Sequence, residues 1–202
     1  MSMLLIPVLL GAQSHVRKAE LDNMLISAVG KYNERELDAA DSLLKSVLSE
    51  DPANDAAHYW ASLVYVEKND AANAEIHLKK AVELDPSNFW YRYRLARQYQ
   101  VTSRPELTVD MYEKLMEDFP KKSELYFNLM QLYAAQGDMD KALATLKEIQ
   151  TVFGMSESVA VYRFNLLQKE GKMEEAIASL EEYNKEYSSP YVLTTLADYQ
   201  MN

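Results

Sequence analysis

Cysteine is absent from the 202 residues. That excludes disulfides, thiolate metal sites, a thiol nucleophile and a cysteine-linked lipid anchor. Glycine and proline are scarce, at 5 and 6, too few for the turns of an all-β chain and in keeping with helices. No cluster of Lys and Arg interrupts a formal net charge of −10. A phosphate backbone needs clustered cations to displace its counterions, so no nucleic acid partner is expected, and an anionic membrane surface is disfavoured for the same reason. No apolar run is long enough to span a bilayer, so no membrane insertion is expected. A glycine-rich phosphate loop and an HExxH-type pair are missing as well. The three histidines, His15, His58 and His77, form no metal or catalytic motif, and His58 and His77 read as surface or interhelix residues. The acid pairs Glu174-Glu175 and Glu181-Glu182 read as solvated helix faces. No catalytic residue, metal or cofactor is therefore expected.

What is present is globular in composition, with 48% hydrophobic and 26% charged residues. The segment MSMLLIPVLLGAQS at residues 1–14 differs from the rest. Its apolar run from Met3 to Leu10, followed by the small residues Gly11 and Ala12, looks like the core and cleavage site of a secretory signal, although no Lys or Arg precedes it. Residues 1–14 are taken as a candidate signal peptide. Export to the periplasmic or cell-surface side of a bacterium is the expectation, with a cytoplasmic protein as the alternative.

The remainder is periodic. Pro52, Pro86 and Pro120 follow one another at intervals of 34 residues. Between and after them the same register carries Ala61, Tyr65, Ala74, Leu78 and Ala81, then Leu95, Ala96, Tyr99, Tyr112 and Leu115, then Leu129, Tyr133, Ala142, Leu146 and Ile149. A 34-residue period closed by proline resembles the tetratricopeptide repeat. The resemblance is close from residue 55 to residue 154 and looser outside it, where Leu21–Asn54 has a weak first-helix signature and Arg163-Phe164 replaces the close-packing pair.

The resemblance implies an all-α fold, a right-handed α-solenoid of tandem helix-turn-helix units. An array over residues 15–202 would hold units near 21–54, 55–88, 89–122, 123–156 and 157–190, with a partial unit at 191–202. First helices are predicted near 22–33, 56–68, 89–101, 123–136, 157–170 and 191–200, and second helices near 37–50, 71–84, 105–118, 139–152 and 173–186. Each helix has one apolar stripe, and one pair cannot hide both stripes, so neighbours stack. Asp70 and Asp138 read as N-caps. Ser103-Arg104-Pro105-Glu106 reads as a capping box with proline at the first helical position. Tyr65, Tyr99 and Tyr133 read as core.

Members of this family line a groove with their first helices. That register directs Tyr59, Trp60 and Leu63 inward, then Trp90, Tyr93, Arg94 and Arg97, then Phe127, Asn128 and Gln131, then Tyr162, Asn165 and Lys169. Trp60, Trp90, Tyr93 and Tyr162 could equally be core. Arg94 and Arg97 form a small positive spot that suits a carboxylate or phosphate. The clamp that some relatives use for acidic chaperone tails is not matched. Asn128 and Arg97 stand in compatible places, but Leu25, Val29, Trp60, Ser158 and Tyr162 do not. The expected function is a non-catalytic scaffold that binds an extended peptide or a helix of a protein partner. The chain stops inside a first helix at LADYQMN, which points to a truncated fragment or to an uncapped end. The alternative is accordingly a structural or oligomerisation module of a larger envelope-assembly protein, self-associating through that C-terminal end.

Overall fold

A computed structural model describes the backbone of residues 5–200 and the side chains of residues 16–199. The described residues form α-helices joined by short turns: α1 (Leu5–Asn33), α2 (Leu37–Glu50), α3 (Asp55–Glu67), α4 (Ala71–Leu84), α5 (Phe89–Val101), α6 (Pro105–Asp118), α7 (Ser123–Gln136), α8 (Met139–Phe153), α9 (Glu157–Lys169), α10 (Met173–Tyr187) and α11 (Pro190–Gln200). The chain divides into two compact units, Met1–Arg104 and Pro105–Asn202. In the first, α1 packs on α2, α3 on α4, and α2 and α4 each on the helix that follows. In the second, α7 pairs with α8 and α9 with α10 in the same manner.

The helix ends follow local chemistry. Asn54, Asp70, Asn88, Asp138 and Ser156 each accept a backbone N–H of the first turn of α3, α4, α5, α8 and α9, a contact that contributes about 0.5–2 kcal/mol per helix. Pro52, Pro86 and Pro120 lie just beyond α2, α4 and α6, where proline cannot continue a helix.

Within the helix pairs the turn is the same five times over. Arg35, Asn69, Ser103, Gly137 and Gly171 have φ of 65°, 59°, 57°, 82° and 78°. Each is followed by a residue whose N–H reaches back to the fifth residue before it: Glu36 to Lys31, Asp70 to Tyr65, Arg104 to Tyr99, Asp138 to Tyr133 and Lys172 to Leu167, all at 2.9 Å. This is the Schellman closure, which needs a left-handed residue at that position. It overturns the capping-box reading of Ser103. Residue 103 supplies the left-handed turn, so Arg104 rather than Ser103 immediately precedes the helix. Pro105 still occupies the first helical position.

Two further expectations shift. The first helix does not start near residue 22 but at Leu5. Pro7 falls in its first turn, where a missing N–H costs nothing, and no left-handed residue intervenes before Arg35. Of the candidate signal peptide, residues 1–4 lie outside the described residues, as do the side chains of the rest of it. At the other end α11 opens at Pro190. Ser189 Oγ accepts the Val192 N–H at 3.3 Å as Ser156 Oγ accepts that of Val159, so this interval is one residue shorter than the others.

The core repeats with the turns. Ala40, Ala74, Thr108, Ala142 and Ala176 recur every 34 residues, as do Leu44, Leu78, Tyr112, Leu146 and Leu180, and none of the ten exceeds 2% exposure. The small residues let neighbouring helix backbones approach, and the large ones fill the space alongside. Tyr99 and Tyr133 are core residues as expected. Tyr65 is only half-buried, its ring stacked 5.4 Å from His77.

Candidate functional site

In the first unit, α5 carries FWYRYRLARQYQV, and its two sides differ. Tyr91, Leu95 and Tyr99 are buried. Trp90, Arg94, Arg97 and Val101, spaced four, three and four residues apart, share a second stripe and are all exposed, Trp90 at 56%. Tyr93 is half-buried beside them, stacked on Phe89 at 5.5 Å and edge-on to Trp90 at 6.3 Å. The preceding first helix, α3, adds half-buried Tyr59 and Trp60. Tyr59 lies 4.9 Å from the Tyr91 ring, and Trp60 meets Tyr32 of α1 edge to face at 5.5 Å. Aromatic rings thus run from α1 through α3 to α5. The buried Tyr91 hydroxyl donates to Asp55 at 2.8 Å, and burial and that carboxylate both push its pKa up.

Tyr32 is the member of this face that the sequence reading missed. It sits at the end of the helix whose repeat signature is weakest, so register did not mark it. Burial and Glu67 push its hydroxyl up, while the guanidinium groups of Arg94 and Arg35 act the other way. Arg35 is ion-paired with Glu67. Leu63, expected on this face, is instead buried. Its equivalents Arg97, Gln131 and Asn165 are exposed, because a wholly apolar side chain gains from leaving water and a polar one does not.

In the second unit the corresponding positions hold aromatic rings, amides and Lys169. Half-buried Phe127 and Tyr162 lie 5.5 Å apart, and Gln131 donates to the Tyr162 hydroxyl at 3.0 Å. Asn128 is half-buried and Asn165 exposed. Lys169 donates to the Ala134 carbonyl at 3.1 Å. An open hollow of about 350 Å³ is lined by Glu157, Ser158, Val161, Tyr162, Asn165 and Tyr191.

The side chain of His15 lies outside the described residues. His58 and His77 meet between α3 and α4 with their Nδ1 atoms 2.9 Å apart, and His58 Nε2 is 3.1 Å from the Pro52 carbonyl oxygen. A carbonyl only accepts, so His58 carries its hydrogen on Nε2 and accepts at Nδ1 from His77. Burial first, and then the charge that His58 can take, push the His77 pKa down; Lys45 acts in the same direction and Asp41 against it. A lowered imidazole pKa means that the unfolded chain binds the proton more readily. Stability is complete above the ordinary value of 6.5 and falls as pH drops through the lowered one. Urea midpoints read by tryptophan fluorescence should decline as the pH falls below 6.5. The decline should flatten in His77→Gln, and an equal slope in both proteins would dismiss the pair as its source.

Among the described residues no group of three or more His, Asp or Glu could hold a metal ion, and no described helix is long and apolar enough to cross a membrane.

Two family profiles of the tetratricopeptide repeat match the chain, one over residues 28–89 and one over residues 102–153. Together they span more than half of it, and the chain belongs to the tetratricopeptide-repeat family. Its fold is that of a protein-interaction module. The crystal structure of MamA is similar, with a TM-score of 0.69 at 19% identity over 84% of this chain and 96% of that one. So is YrrB, described as a repeat protein of this family with an unusual peptide-binding site, with a TM-score of 0.66 at 18% identity over 92% and 97%. A thermophilic family member from Thermus thermophilus has a TM-score of 0.51 at 20% identity over 90% and 100%. Likeness at this level of identity concerns the fold alone. No curated protein sequence matches the chain.

Proposed function

We propose that the chain is a non-catalytic interaction module whose first unit receives an extended peptide or a helix of a partner protein along the face of α1, α3 and α5. The observation that carries this reading is Trp90, a large aromatic left 56% exposed beside half-buried Tyr93 and two exposed arginines. Trp, Tyr and Arg dominate binding hot spots because they desolvate large areas while keeping a polar handle. A fold of stacked helix pairs has no need to leave such a ring in water. The peptide-binding site named for YrrB, a protein of the same fold, supports the choice of ligand.

Trp90→Ala is expected to weaken partner binding by more than about 1 kcal/mol, measured by calorimetry, with helicity unchanged by circular dichroism. Full affinity in a folded Trp90→Ala protein would exclude this face. A second reading, self-association, draws on Tyr191 and Leu193, exposed at 58% and 50% on α11. Export belongs to the proposal too and rests on the apolar run Met3 to Leu10.

A further inference from the structure

We infer that the occupant of the α1, α3 and α5 face is an acidic peptide segment, its carboxylates held by Arg94 and Arg97 and its apolar side chains laid against Trp90 and Tyr93. The inference rests on the docking role proposed above and adds the chemistry of the partner.

Its basis is the pairing state of the arginines. Arg17, Arg35 and Arg104 form ion pairs with Glu50, Glu67 and Glu75, and Arg163 donates to Gln150 at 2.5 Å. Arg94 and Arg97 are exposed, and among the described residues neither has an ion pair, a hydrogen bond or a ring beneath it. They stand three residues apart, so they are neighbours about 5–6 Å apart at Cβ. That spacing suits two carboxylates of one strand, or one carboxylate gripped twice. Both arginines lie on the stripe of α5 that begins with exposed Trp90, one and two turns further along the helix. The nearby acid Glu67 is already engaged by Arg35, so the spot is not neutralised from within.

The net charge of −10 argues for a basic partner at long range. At physiological salt, however, that field is screened beyond about 8 Å. The two guanidinium groups in contact with the ligand therefore decide its sign.

The test pans a random twelve-residue phage-displayed peptide library on the intact chain at physiological salt. Enriched peptides are then measured on Arg94→Gln/Arg97→Gln and on Trp90→Ala, each confirmed helical. Trp60 and Trp90 are the chain's two tryptophans, and their fluorescence reports binding at this face in the unmutated protein. The expected result is an excess of Asp and Glu among enriched peptides. Their affinity should fall at least about tenfold in the double variant, as loss of a charged hydrogen bond implies, with a shallower salt dependence. Neutral or basic peptides, or acidic ones that bind the double variant equally, overturn the acidic partner. The docking face itself survives that result if Trp90→Ala still weakens them. A library that yields no enrichment over the blank support overturns both.

Discussion

Leu78→Ala will lower the unfolding free energy of the first unit by about 2–5 kcal/mol. Leu78 is 2% exposed on α4, a helix packed against both α3 and α5. Removing its branched end forfeits the transfer free energy of the lost carbons. It also leaves a cavity, because helices held on two sides cannot close over it. The equivalents Leu44, Tyr112, Leu146 and Leu180 are buried to the same degree, so the position is a repeated anchor and not a local accident. Both tryptophans lie in the first unit, and urea unfolding followed by their fluorescence reads that unit directly. The midpoint should fall with the slope unchanged. A loss under about 1 kcal/mol would mean that the site collapses freely and that Leu78 is no anchor.

The converse change at the neighbouring position should also destabilise. Ala74→Leu is expected to cost about 1–3 kcal/mol. Ala74 has no exposed surface, and the same position holds Ala40, Thr108, Ala142 and Ala176, all at 0%. No unit has anything larger than threonine there, which is the mark of a close helix approach. Three added carbons can enter only by pushing the helices apart or by forcing a strained rotamer. The same denaturation measurement checks it. A neutral Ala74→Leu would show slack in the packing and would remove the reason for small residues at this register. Neither substitution touches the α5 stripe, so a protein that stays folded should keep its ligand affinity, whereas Trp90→Ala should lose affinity and keep its midpoint.

Much of the fold was legible because the signals that place helices act over a few residues. The prolines at 52, 86 and 120 and the Asp70 and Asp138 caps each act within one turn of helix, and the predicted second helices match α2, α4 and α6 end for end. Where two local signals competed, pattern alone misjudged the winner. Ser103 with Glu106 has the form of a capping box, but the bond from Arg104 N–H to the Tyr99 carbonyl required a left-handed residue at 103. The first helix was misplaced because a reading keyed to the repeat started where the repeat started, while the backbone had no reason to stop there.

The candidate site was legible to the level of register and no further. The period put Leu63 and Arg97 at one position and could not say that the first would be buried and the second wet. It could not bring Tyr32 to Trp60, or His58 to His77, since these partners stand on different helices. Helices, turns and apolar stripes could be read along the chain, because propensity, capping and periodicity are properties of neighbouring residues. Which rings stack, which histidines meet and which arginines find a carboxylate on a neighbouring helix emerged only when the helices packed. Those are distances between side chains on separate helices.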